Sequence, residues 1–334
     1  MLTANSMVEG QLDEELVRLL VCPRDHSPLE RKGDGLVCQK DHRYGVVEGV
    51  PILLLSETGH THSSGERSLR SVETGKVVEL VPLGEGANGI DPFVQLYIAG
   101  TNGSLYSPLI GKLTEYPIPT LRLPPGEGKL FLEIGCCWGR WCIAAAQQGY
   151  LPIGIDPNLE GVLAARRVAR QLGVQAHFLV ADGRHLPFAD GVVDQVFSYS
   201  VLQHLSRENA VLTLDEVRRV LRCGGRSDIQ MAGKFGVRCF YHQARRGFRE
   251  TKAFEVRYWT PGEFTSTFTR AIGPTRLSVD GFFSLNPQIS DIRLFPPRYR
   301  AIVRFSEFLR RASAKLPFLI YVADSLYISS VRES

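Results

Sequence analysis

The chain lacks any apolar run long enough to cross a bilayer, which takes about 20 consecutive apolar residues. The longest run near its end, LPFLIYVA at 316–323, falls well short. It also lacks a large excess of either charge. Its 39 basic and 35 acidic residues leave a formal net of +4, too little to demand a nucleic-acid partner. It has no even cysteine set. The seven cysteines (22, 38, 136, 137, 142, 223 and 239) are odd in number, and three lie beside or inside one glycine turn. That argues against a disulfide framework and for a reducing compartment. The first residues carry Glu9, Asp13, Glu14 and Glu15 and no basic-then-apolar signal pattern. The expectation is a cytoplasmic protein without a transmembrane segment.

What is present centres on KLFLEIGCCWGRWCIAAAQQGYLPIGID, residues 129–156. Residues 130–134 read as a buried strand. Gly135 and Gly139 bracket a turn where backbone must approach a ligand closely. Residues 141–148 read as a helix stopped by Gly149. Residues 152–155 read as a second strand with Asp156 at its tip. An acid there, about twenty residues past the glycine turn, suits both hydroxyls of a ribose. Further alternation follows: helix 159–172, strand 175–180, strand 193–200, helix 210–221 and strand 226–231. Late strands are expected at 275–283 and 325–331, with a helical insertion at 298–314. Together these predict an α/β fold with a doubly wound, mostly parallel sheet.

The turn is no dinucleotide fingerprint. G-x-G-x-x-G is absent, Cys137 stands where a middle glycine would be, and Glu133 precedes the turn. An acid there suits a ligand with an ammonium and a sulfonium better than two phosphates. Asp182, after the third strand, can accept from an exocyclic amine such as adenine N6. Gly183 and Arg184 follow it with backbone amides for the ring.

Upstream, residues 12–55 form a compact unit with two Cys-x-x-x-His pairs, Cys22 with His26 and Cys38 with His42. Their separation suits two turns converging on a tetrahedral zinc ion. Asp25 is an alternative to His26. Residues 56–90 are rich in Ser, Gly and charge and read as linker. Residues 91–127 read as an ordered cap leading into the large domain, 128–334, which carries a substrate-side insertion at about 236–315.

Two resemblances add to this. Leu-x-Cys-Pro, the hairpin, Leu-Val-Cys, Tyr44 and then EGVPILL resemble the small zinc-ribbon domain that activates RNA and protein methyltransferases. FLEIGCCWGR, GIDP, ADGRHLPF, VDQVFSYSVLQHL and VLRCGG resemble class I S-adenosylmethionine-dependent methyltransferases. The second resemblance implies a Rossmann-like, seven-stranded methyltransferase sheet behind a small zinc-ribbon-like β domain. It implies that Glu133, Gly135, Cys137 and Gly139 hold the methionine end of S-adenosylmethionine. Asp156 and Pro157 would take the ribose side, Asp182 and Gly183 the adenine, and Ser198 and Tyr199 would face the methyl. Cys137 and Cys223 depart from the family's usual glycine and proline. His204, just after the fourth strand, is the candidate catalytic base beside Tyr199.

The fourth strand ends in Ser-Tyr-Ser, which favours a small-molecule or lipid- or glycan-linked acceptor. RNA is the alternative. Residues 215–257 hold 11 basic and 5 acidic residues, and Arg238, Arg245, Arg246 and Arg249 there are interleaved with aromatics. A non-catalytic binding module is a further alternative. In the late segment SEFLRRASAKLPFLIYVADSLY, 306–327, the last helix and strand are expected to pack into the core, with peripheral membrane contact as the other reading.

Overall fold

Apolar side chains that alternate along each strand, and return every three or four residues along each helix, bring two helical layers onto one sheet. The computed structural model describes residues 12–59, 62–79, 88–252, 254–283 and 286–333. Helix α1 (Glu14–Val17) starts where the Asp13 carboxylate accepts the amides of Glu15 and Leu16. Strands β1 (Leu29–Lys32), β2 (Gly35–Cys38), β3 (Arg43–Val47) and β4 (Val50–Leu53) then pair in turn as an antiparallel meander.

Helices α2 (Ser63–Thr74) and α3 (Pro92–Asn102) follow. The alternating core comes next: β5 (Leu130–Ile134), α4 (Arg140–Gln147), β6 (Leu151–Asp156), α5 (Leu159–Gln171), β7 (His177–Ala181), β8 (Val193–Tyr199), α6 (Arg207–Val220) and β9 (Leu221–Ala232). The chain ends with α7 (Val237–Arg245), α8 (Pro261–Ala271), β10 (Thr275–Gly281), α9 (Pro297–Ala312) and β11 (Ser325–Val331). The sheet order is β1-β2-β3-β4-β7-β6-β5-β8-β9-β11-β10. Strands β7, β6, β5, β8 and β9 are parallel, and β11 runs antiparallel between β9 and β10. This is a Rossmann-like class I methyltransferase core.

Alternation sorts the core residues by face. Leu132, Ile134 and Leu179 join one apolar cluster with α6 and α8, while Phe178 and Val180 join a second with α3 and α5.

Three expectations change. The sheet is not seven-stranded beside a separate small β unit. β4 pairs parallel with β7, Ile52 opposite Val180 and Leu53 opposite Ala181, giving one eleven-stranded sheet. All four β4 residues are buried, as in a strand covered on both faces. The stretch expected as linker carries α2; its residues 60, 61 and 80–87 lie outside the described residues. The 316–323 run packs inward only in part: Leu319 and Ile320 lie against the core, Ala323 is buried, and the strand that follows is buried through Leu326 and Ile328. Leu316, Phe318, Tyr321 and Val322 are exposed. No helix among the described residues is long and apolar enough to cross a membrane.

Candidate active site

The glycine turn closes the carboxyl end of β5. Gly135 has φ 80° and a Cβ there would sit 2.3 Å from the Val201 side chain; Gly139 has φ 77°, with the Phe178 ring at 2.8 Å. Cys137 between them is also left-handed, at φ 46°, a region that costs an L-residue roughly 1–2 kcal/mol. Its amide donates to Asp156 Oδ2 at 2.9 Å, and the Asn158 amide donates to Oδ1 at 2.9 Å. Burial still pushes Asp156 up to about 6. Glu133 is 1% exposed. One of its oxygens accepts the Cys142 amide at 2.9 Å, and burial pushes its carboxyl up to about 8.

Two cavities meet at Gly135. The first, about 90 Å³, is lined by Ile155, Pro157, Asp182, Gly183, His204 and Phe254, among others. Asp182 is held by Arg184, whose side chain donates at 3.0 and 2.5 Å and whose amide donates at 2.9 Å. That amide is therefore already engaged rather than offered to a ring. The His204 ring lies flat on Phe254 at 4.1 Å, and His62, the N-cap of α2, meets Phe254 edge-on at 4.8 Å. The second cavity, about 30 Å³, is lined by Asn102, Glu133, Cys137, Arg140, Trp141, Tyr199 and Asn286, among others.

Arg140, the first residue of α4, is 6% exposed, and none of its three guanidine nitrogens has a hydrogen-bond partner among the described residues. Burial works against its charge, but Tyr106, Asp291 and Tyr199 around it keep it protonated. Asn102 Nδ2 and Asn286 Oδ1 are likewise buried without a partner. Three unsatisfied polar groups thus face one small cavity, where an unmet hydrogen bond costs about 1–3 kcal/mol.

Arg140, Asn102, Asn286, His62 and Phe254 were not among the residues the sequence marked for this site. Arg140 was findable as a cation placed directly after the second turn glycine. The others come from separate segments and leave no local signal.

Other sequence candidates fall elsewhere. Ser198 is fully buried and its hydroxyl donates to the Ile134 carbonyl at 2.8 Å, so it lines neither cavity. Tyr199 lines the second cavity, but its hydroxyl donates to Asp280 at 2.6 Å and accepts from Gln288 at 2.8 Å. His204 lines the first cavity, apart from Tyr199, with Nδ1 2.8 Å from the Phe254 carbonyl. Burial lowers its pKa. The structure therefore does not bring the expected catalytic pair together.

At the N-terminal module, Cys22, Asp25, Cys38 and His42 place their ligand atoms within 4.8 Å of one another. His42 Nδ1 lies 3.4 Å from Cys22 Sγ, 3.3 Å from Cys38 Sγ and 3.3 Å from Asp25 Oδ2. These are the edge lengths of a small tetrahedral site. The expected ligand His26 is outside it, exposed, at φ 57°. Its amide closes a turn on the Cys22 carbonyl. Asp25 Oδ1 accepts from the Ser27 amide and hydroxyl, which leaves Oδ2 toward the thiols.

Residues 131–225 match a family model described as a methyltransferase domain. A UPF0434 protein of Vesicomyosocius okutanii is 43% identical over 47 residues, 14% of this chain and 80% of that one. Methyltransferase GfsG of Streptomyces halstedii is 31% identical over 120 residues, 34% of this chain; the chain spans only 42% of GfsG. Among solved structures, the complex of the Haloferax volcanii Trm112 methyltransferase activator with a putative methyltransferase is similar at 20% identity and TM-score 0.44, covering 64% of this chain and 86% of that one. A SAM-dependent methyltransferase of Methanosarcina mazei is similar at 19% identity and TM-score 0.45, covering 64% and 99%. Over its 47-residue match the chain belongs to the UPF0434 family, and with a methyltransferase domain at 131–225 it is an S-adenosylmethionine-dependent methyltransferase.

Proposed function

We propose that the chain transfers a methyl group to a small-molecule or lipid- or glycan-linked acceptor, with the cofactor laid across both cavities at Gly135. The observation that carries this is the buried Arg140 guanidinium, with no hydrogen-bond partner among the described residues, beside Glu133 under the glycine turn. The cofactor's amino-acid end offers a carboxylate and an ammonium to these two groups. Its carboxylate suits Arg140 and Asn102 Nδ2, and its ammonium suits Glu133. Asp156 accepts the ribose hydroxyls, since each of its oxygens keeps a lone pair beyond its one backbone donor. Asp182 and Gly183 border the adenine, with His204 and Phe254 as one wall and His62 at the rim.

S-adenosylmethionine supplies a methyl on an already activated sulfonium. The protein's own task is then alignment and exclusion of water. Trp141 and Tyr199, with ring centres 4.6 Å apart, form the apolar side of the methyl end. Tyr199 acts there as a positioned wall, its hydroxyl being tied to Asp280. His204 belongs to the adenine wall in this reading and does not act as base.

A neighbouring cavity of about 440 Å³ has the size of a small-molecule site, which supports a small acceptor. The four-residue cluster supports zinc held by Cys22, Asp25, Cys38 and His42, and residues 12–55 as a zinc-ribbon module.

Calorimetry with S-adenosylhomocysteine tests the core of this. Binding in the micromolar range, abolished by Asp156→Ala, is expected. Wild-type protein that gives no heat with S-adenosylhomocysteine overturns the reading.

A further inference from the structure

We propose that the 440 Å³ cavity is the acceptor site and that it grips a phosphate group on the acceptor. The proposal rests on the methyltransferase reading, because the cavity's importance comes from its position. It shares Asn286 with the cavity holding Arg140 and Tyr199, and Phe254 with the cavity holding Asp182. A molecule seated in it therefore abuts the methyl end.

The lining charge comes from one helix face. Arg238, His242 and Arg246 recur every four residues along α7 and its C-cap, so they stack on one side. Phe240, Tyr241 and Arg245 fall elsewhere on the helix, and Arg245 lies against the Tyr241 ring.

Arg238 donates to the Ser104 hydroxyl at 2.9 Å and to His242 Nε2 at 3.3 Å. Arg246 donates to the Val256 carbonyl at 3.1 Å and lies over the Tyr258 ring, with a buried Nε that has no partner among the described residues. These partners are all neutral, and the acid that acts on Arg246 across the cavity is Glu255. The one acid among the described lining residues, Glu255, is held by Arg249 at 2.8 and 2.7 Å. The cavity is thus net cationic, with the Arg238 and Arg246 guanidinium groups along one helix face as donors to an oxyanion. The engagement of Arg245 and Arg249 elsewhere limits the cationic face to about one phosphate, which disfavours a long RNA track.

The test uses the full chain saturated with S-adenosylhomocysteine. Inorganic phosphate is titrated by calorimetry and phosphorus NMR, and phosphatidylcholine vesicles with and without phosphatidate are tested by co-sedimentation. Phosphate binding is expected, weakened roughly tenfold or more by Arg238→Gln or Arg246→Gln, the loss typical of a charge-assisted hydrogen bond. Affinity for S-adenosylhomocysteine should stay within about twofold, which also shows that the variants are folded. Binding to phosphatidate vesicles alone, lost in both variants, assigns the phosphate to a lipid-linked acceptor and supports the proposal. No binding to either probe, or binding unchanged in both variants, overturns it while leaving the methyltransferase reading intact. Tighter binding of single-stranded RNA than of phosphate, with a steep salt dependence, overturns it in favour of RNA. Failure of the wild type to bind S-adenosylhomocysteine strikes the methyltransferase reading instead.

Discussion

Arg140 is the residue whose surroundings make least sense without a ligand. Asp291, Tyr106 and the Trp141 ring surround its charge, yet none of its guanidine nitrogens has a hydrogen-bond partner among the described residues, and an unmet buried donor costs about 1–3 kcal/mol. S-Adenosylhomocysteine carries a carboxylate and 5′-methylthioadenosine does not. Wild-type protein is expected to prefer the former, and Arg140→Gln should erase that preference, costing about 1.5–3 kcal/mol for a hydrogen bond to a charged group. An unchanged ratio of the two affinities would show that Arg140 serves something else. Glu133 makes a prediction about pH. Its folded pKa of about 8 lies above the usual 4.5. The stability it contributes is therefore complete below its unfolded pKa and is lost as pH rises through about 8. Bound ammonium reverses the preference by favouring the carboxylate. S-Adenosylhomocysteine should raise the melting temperature more on the alkaline side of about pH 8 than on the acid side, and binding near neutrality should release a proton. Calorimetry in two buffers of different ionisation enthalpy counts it, and a count of zero refutes the assignment.

At the scale of elements, α2 shows how a polar stretch becomes part of the site. Ser68 donates to the Pro157 carbonyl at 2.7 Å and accepts the Leu159 amide at 3.0 Å. It therefore fastens the loop after Asp156. Ser68→Ala is expected to cost about 1 kcal/mol of stability and to weaken S-adenosylhomocysteine severalfold, measured by denaturant unfolding and calorimetry. The fully buried residues of α2 are Ser64, Gly65, Ser68 and Ser71, and only Leu69 and Val72 add apolar contact with the core, too short an apolar period to announce the helix. The Cys22–Ser27 turn shows a similar limit. Spacing pointed to His26 with Asp25 as the alternative, and the left-handed backbone at His26 leaves Asp25 in the cluster. Asp25→Ala is expected to abolish metal binding and His26→Ala to leave it unchanged, as read by elemental analysis. The reverse result would place the ligand at His26.

At the scale of the molecule, the N-terminal meander continues the sheet through β4 and β7. Removing a metal from the four-residue cluster should therefore reach the main sheet. A strong chelator is expected to lower the melting temperature by several degrees, since roughly 1 kcal/mol corresponds to a few degrees in a chain this long. It should also expose amides along β7 to hydrogen exchange. Protection of β7 unchanged by chelation would show that the meander is only an appendage.

The sequence alone determined the alternating α/β core, the glycine turn and the acids at strand tips. Each depends on a local period or on backbone geometry within a few residues: Leu132 and Ile134 on one face of β5, Gly135 and Gly139 at positive φ, Asp156 where β6 ends. Tertiary structure alone decided which side chains share a cavity. Asn102, Arg140 and Asn286 lie in three separate segments, and His204 and Tyr199, though five residues apart, line different cavities. The physical reason is that backbone conformation is set largely by neighbours in the chain. Burial and the pairing of charge are set by residues far apart in the chain, whose meeting only packing determines.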